Sequence, residues 1–264
     1  MLLIIFIYLA LGCFVGILAG VFGVGGGIII VPVLFFAFRK MGMDESVITH
    51  MAIATSHAAI IFTSSSSSYV MNKSGNVQWN VVRSLAPGML LGGLLIGPNV
   101  ADFLPSSTLQ IIFAIFMVIV AIKMWFGLKP KTEGALPSAS VMATVGIGIG
   151  SVSSILGIGG GSLTVPFLTW KGLGIRTAVG SSVSSAIVIA VSSSIGYIYT
   201  GIGESGLPEE TMGYIYWPAL LGIVATSMLF VRAGVKIAAL MDEKLQKKLF
   251  SVLLIIVAGK MLLS

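Results

Sequence analysis

Two short glycine runs are the residues of this chain best placed to do chemistry. Gly23-Val24-Gly25-Gly26-Gly27 is followed by Val31-Pro32-Val33-Leu34, and Gly157-Ile158-Gly159-Gly160-Gly161 by Val165-Pro166-Phe167-Leu168. Each run interrupts an otherwise apolar segment. A glycine costs a helix about 1 kcal/mol relative to alanine, so three in a row predict a break. Pro32 and Pro166 then fall in the first turns of a new half-helix, where a missing N–H is tolerated. Such a half-helix starts with unpaired amides and a partial positive charge of roughly +0.5. Glycine leaves no side chain in the way, so an anion can reach those amides. Gly25, Gly26 and Gly27, together with Gly159, Gly160, Gly161 and Ser162, are therefore the expected cradle. Close helix packing also uses small residues, but at i, i+4 spacing and not as a contiguous run. The chain has no Gly-Lys-Ser/Thr and no acidic residue placed for a ribose, which sets a nucleotide fingerprint aside.

Hydroxyls and histidines gather in the next segment of each half. The first carries Thr49, His50, Thr55, Ser56, His57 and the run Thr63–Ser68; the second carries Ser181, Ser182, Ser184, Ser185 and Ser192–Ser194. Ser153, Ser154, Ser162 and Thr164 flank the second glycine run. Hydroxyls donate to oxyanions without the dehydration cost of a buried lysine, although Ser and Thr also satisfy their own backbone. The Ser64–Ser68 run fits that second role. Thr55/Ser56 and Ser181/Ser182 match between the halves and are candidate substrate ligands. Ionisable groups inside membrane segments are functional candidates by default. No carboxylate lies deep in any predicted span, which leaves His57, ahead of His50, as the candidate proton carrier. Lys123 and Lys260, near segment ends, fit snorkelling to the head groups.

The elements that must position these groups are membrane spans. Of 264 residues, 56% are hydrophobic and 9% charged; a soluble domain carries about a quarter charged residues. Apolar segments cover roughly residues 2–38, 46–70, 80–101, 107–127, 138–170, 176–201, 212–232 and 245–263, and about 20 residues cross a bilayer. The net charge of +6 suits cytoplasmic loops of a membrane protein and needs no nucleic-acid partner. Cys13 has no second cysteine to pair with, and Met1–Leu18 reads as a retained span and not a signal peptide.

The chain is also internally repeated. The glycine runs and their prolines recur at an offset of 134 residues, and Ala121-Ile122-Lys123-Met124 resembles Ala258-Gly259-Lys260-Met261. Residues 1–128 and 138–264 form the two repeats, joined by a linker at 129–137. If every segment simply spans, Lys and Arg divide almost evenly between the two faces. If segments 2–38 and 138–170 are hairpins or re-entrant at their glycine breaks, twelve of the fifteen basic residues fall on one face, with the linker. The acidic loop Glu204–Glu210 then lies outside. Positive charge is retained in the cytoplasm. The expected fold is thus all-α and polytopic: two inverted repeats, each a glycine-broken hairpin plus three transmembrane helices. Paired broken helices in such a repeat point to a transport site.

At both glycine motifs, with Pro32 and Pro166, and in its two-fold repeat, the sequence resembles the sulfite exporter TauE/SafE family of bacterial membrane proteins. The resemblance implies transport of small sulfur-containing anions, sulfite or organosulfonates, across the cell membrane by a multi-pass carrier. The implied partners are a small anion and the lipid bilayer, with homo-oligomerisation left open. No cofactor is implied, and one cysteine with two histidines gives an enzyme no metal or nucleophile constellation. An anion channel, or a permease for another oxyanion or carboxylate, would use the same cradle.

Overall fold

The computed structural model describes residues 2–22, 26–126 and 136–263. Gly23, Val24, Gly25 and most of the linker lie outside the described residues. The first half runs α1 (Leu2–Phe22), α2 (Gly27–Lys40), α3 (Ile48–Lys73), α4 (Trp79–Leu91), a π-helical turn (Gly92–Ile96), α5 (Gly97–Asp102) and α6 (Ser106–Trp125). The second runs α7 (Ala139–Ile155), α8 (Gly161–Trp170), α9 (Ile175–Thr200), α10 (Trp217–Ala239) and α11 (Glu243–Leu263). A two-stranded hairpin, β1 (Thr211–Met212) with β2 (Ile215–Tyr216), precedes α10. This is a helical, multi-pass membrane architecture. Among the described residues, Trp79–Asp102, Ser106–Trp125 and Ile175–Thr200 are long and apolar enough to cross a bilayer, and Ile7–Leu18, Ala139–Ile155 and Trp217–Val231 are shorter apolar stretches.

Both predicted breaks separate two helices. The new helices start at the last glycine of each run, Gly27 and Gly161. This corrects the proline register: Pro32 and Pro166 occupy the second turn, not the first. There each removes a bond to the carbonyl four residues back, on Ile28 and Ser162. Segment 80–101 departs from a plain helix at the π-helical turn. The segment expected from 212 starts helical structure only at Trp217, because Ile215 and Tyr216 pair with the strand before them.

The halves are interlocked by glycine. On α1, Gly12 and Gly16 sit against Gly222, Ile223 and Ser227 of α10; a Cβ on Gly12 would lie 2.8 Å from the Ile223 Cα. On α7, Gly146 and Gly150 sit against Leu85 and Met89 of α4, while Gly88 meets Ala143 and Gly92 meets Ile147 and Ser151. These are one interface made twice, since Gly12, Gly16 and Gly88 plus 134 give Gly146, Gly150 and Gly222. Each half lends its first helix to the fourth helical stretch of the other. Small residues at four-residue spacing let backbones touch where no hydrophobic effect drives association.

The corresponding helices α3 and α9 cross at the centre. His57 stacks on Tyr197, and Ser68 lies 2.7 Å from Ser184, oxygen to oxygen, so the two run antiparallel. The α6–α11 pair does the same: Gln110 bonds the Met261 carbonyl at one end, and Lys248 lies over Trp125 at the other.

Replacing Gly88 by Leu is expected to abolish monodisperse protein in detergent, because its side chain would enter the Ala143–Ile147 backbone; overpacking of this kind costs about 1–3 kcal/mol or more. Gly148→Ala, with nothing within 4 Å of the new methyl, is expected to leave the thermal midpoint unchanged. Size-exclusion profiles and thermal unfolding of both variants check this.

Candidate functional site

The second glycine run is built as a helix stop followed by a helix start. At the stop, the Ile158 amide bonds the Ser153 carbonyl and the Gly157 amide bonds that of Ser154, with Gly157 at φ +65°. This is a Schellman cap, and its left-handed position suits glycine. At the start, Gly160 takes φ +74° and precedes α8 as its N-cap residue. The amides of Leu163 and Thr164 both bond the Gly160 carbonyl. That leaves Gly161 and Ser162 amides at the helix start with no intrahelical acceptor.

The carbonyl side of the break is answered by the protein. His57 Nε2 lies 3.1 Å from the Ser154 carbonyl and the Tyr197 hydroxyl donates to the same oxygen at 3.1 Å. Ser56 Oγ donates to the Gly157 carbonyl at 2.8 Å. A carbonyl only accepts, so His57 carries its proton on Nε2 and presents a lone pair at Nδ1. That Nδ1 is buried and has no partner among the described residues.

The amide side is different. Ser153 Oγ, Thr164 Oγ1 and Ser182 Oγ are buried without hydrogen-bond partners among the described residues. All three border the start of α8. A Cβ on Gly160 would lie 3.3 Å from Ser153 Oγ and 3.4 Å from Thr164 Oγ1, and one on Gly161 would lie 3.9 Å from Ser182 Oγ. Gly159 faces Ile60 of α3 and Ala186 of α9, with Ser64 Oγ about 4.0 Å away. Ser162 is half-buried on the first turn of α8. The arrangement places amide donors and unpartnered hydroxyls together at the start of α8, groups that can donate to an oxyanion. Among the described residues, no three His, Cys, Asp or Glu side chains gather as a metal site.

The first break differs in character. Gly26 and Gly27 are buried, and Gly25 lies outside the described residues. A Cβ on Gly27 would sit 2.6 Å from the Gly157 carbonyl and 2.8 Å from Ile60, and one on Gly26 would meet Ile30. The two glycine runs thus touch, and Gly26 and Gly27 of the first lie against the apolar side chains of Ile30 and Ile60. At the 134-residue offset, Thr164 corresponds to Ile30 and Ser162 to Ile28.

Thr55 and Ser181 are engaged elsewhere. Thr55 accepts the Tyr216 amide at 3.0 Å and Ser181 accepts the Gln78 amide at 3.0 Å. Each hydroxyl therefore holds the backbone entering the fourth helical stretch of the opposite half, α10 or α4.

The profile of the sulfite exporter TauE/SafE family matches residues 8–261. The chain belongs to that family. It is 38% identical over 262 residues to a probable membrane transporter protein of Haemophilus influenzae, covering 98% of each chain. A probable membrane transporter protein of Methanocaldococcus jannaschii is 26% identical over 98% of this chain and 94% of its own. One from Bacillus subtilis is 27% identical over 92% and 90%. No solved structure matches the chain. As a TauE/SafE protein it is a membrane transporter, and the donor-lined break is its candidate site.

Sequence reasoning missed the aromatic residues around this TauE/SafE site. Tyr197 packs against His57, and Tyr214 stacks on His50 at 5.1 Å and donates to Asp102 at 2.9 Å. Burial, with Asp102 beside it, pushes the Tyr214 phenol upward, so it stays a donor. The clue lay in the sequence: Tyr197 follows a long run of small and aliphatic residues, Thr177–Gly196.

Ser56→Ala is expected to lower stability by about 1–3 kcal/mol, since it strips the donor from a buried carbonyl. Thr164→Val, which removes a hydroxyl that has no partner, is expected to leave stability unchanged or raise it. Thermal unfolding of the two in detergent checks the contrast.

Proposed function

We propose that this protein is a secondary carrier for small sulfur-containing anions, such as sulfite or organosulfonates, in the cell membrane. The observation that carries the reading is the unequal treatment of the second break. His57, Tyr197 and Ser56 bond its Ser154 and Gly157 carbonyls, whereas the buried hydroxyls of Ser153, Thr164 and Ser182, beside the first amides of α8, have no partner among the described residues. An oxyanion supplies the acceptors that this half lacks. Membership of the TauE/SafE family supports the sulfur-containing class.

In this reading residues 1–128 and 138–264 are inverted repeats, with 129–137 as a cytoplasmic linker. The antiparallel runs of α3 against α9 and α6 against α11, together with the basic-residue bias, support the inversion. The substrate lies between the two runs, with Gly26 and Gly27 as its floor and Gly159–Gly161 as its donors. Thr55 and Ser181 keep the halves in register beside it, and His57, next to the site, is the proton carrier. Rocking of one repeat against the other gives alternating access.

Purified protein in liposomes is expected to show saturable counterflow of labelled sulfite or a sulfonate; conductance at channel-like rates would reject the carrier. Gly160→Leu is expected to abolish counterflow with normal membrane insertion, because it fills the cradle and strains a left-handed position. Gly26→Leu is expected to do the same by displacing the floor. Unchanged uptake in both variants sinks the site.

A further inference from the structure

The walls of this site hold no fixed charge. From Ile48 to Asn72 in α3, throughout α7 and α8, from Thr177 onward in α9, and from Gly27 to Phe38 in α2, there is no Lys, Arg, Asp or Glu. The titratable side chains facing the break are His57 from α3 and Tyr197 from α9, both bonded to the Ser154 carbonyl. The charged residues of the neighbouring elements stand apart from it: Arg83 of α4 is exposed, Asp102 at the end of α5 takes the Tyr214 hydroxyl, and Arg176 lies exposed in the first turn of α9. The positive potential fixed at the site comes from the starts of α8 and α2, roughly half an elementary charge each, supplemented by three hydroxyl dipoles.

That inventory discriminates by charge. The cost of taking an ion out of water grows with the square of its charge, while its attraction to fixed dipoles grows only linearly. Doubling the charge multiplies the cost by about four and the return by about two. A dianion entering these walls would meet no lysine or arginine to offset that larger cost. Three buried hydroxyls and two amides nevertheless match an oxyanion carrying several oxygens and a single charge.

We infer that the site selects monoanionic oxyanions, such as a sulfonate or the singly protonated form of sulfite, and rejects dianions of the same size, such as sulfate. The inference rests on the carrier reading above and sharpens its substrate class. It also separates charge from shape, because a sulfonate and sulfate present nearly the same tetrahedral face.

The test is binding of methanesulfonate, sulfite and sulfate to the purified full-length protein at constant ionic strength, from mildly acidic to mildly alkaline pH. Methanesulfonate stays a monoanion throughout and controls for titration of His57. It is expected to bind with a flat profile, while sulfite affinity falls about tenfold per pH unit once its second proton is lost. Sulfate is expected to bind more than about tenfold more weakly than methanesulfonate. Sulfate binding on a par with methanesulfonate, or sulfite binding that is flat across its ionisation, overturns the inference and leaves the carrier reading standing. A methanesulfonate profile that falls alongside sulfite also overturns it, assigning the pH effect to the protein. If none of the three binds, the carrier reading fails together with the inference.

Discussion

An interrupted helix inside hydrocarbon must find partners for the backbone groups it frees, because no water is there to take them. The centre of this protein is organised by that demand. The stop of α7 exposes carbonyls at Ser154 and Gly157, and α3 and α9 bring His57, Ser56 and Tyr197 to them. These bonds tie the second break to helices of both halves, so the break cannot shift without moving the central crossing. With those two carbonyls taken, the start of α8 keeps its first amides beside the unpartnered hydroxyls of Ser153, Thr164 and Ser182.

The duplication explains the frame better than it explains the site. The glycine interfaces of α1 with α10 and α7 with α4, and the Thr55 and Ser181 latches, occur as matched pairs. The hydroxyls do not. Thr164 has Ile30 as its counterpart and Ser162 has Ile28, so Gly27 at the start of α2 packs against Gly157 and Ile158 while the start of α8 lies beside unpartnered hydroxyls. The same asymmetry appears in burial, with α2 enclosed along nearly its whole length and α8 enclosed only at Thr164 and Leu168.

Much of this was legible in the sequence, and the exceptions have physical causes. The spans Trp79–Asp102, Ser106–Trp125 and Ile175–Thr200 followed from hydropathy, and both breaks from glycine's poor helix propensity. The proline register was missed by a turn because helix could restart at the last glycine itself, which a left-handed Gly160 permits in the second half. The helical start at 212 was missed because Ile215 and Tyr216 are claimed by a hairpin and by Thr55, a partner 161 residues away that no local pattern reveals. Thr55 and Ser181 matched between halves for a reason other than ligand geometry: they bond equivalent backbone amides. The π-helical turn left no local trace. The paired Gly12/Gly16 and Gly146/Gly150 were visible at the same 134-residue offset as the glycine runs, but were overshadowed by them.

The exchange of first helices between halves has a consequence for how the chain is made. When α1 leaves the ribosome its glycine face has no mate, because α10 begins at Trp217, near the far end of the message. Until then α1 must wait in the bilayer with small residues turned toward lipid, a weakly attractive surface that tolerates delay. The second half has no such wait, since α4 is already inserted when α7 emerges. The α4–α7 interface can therefore close before the α1–α10 interface, although α1 is made first.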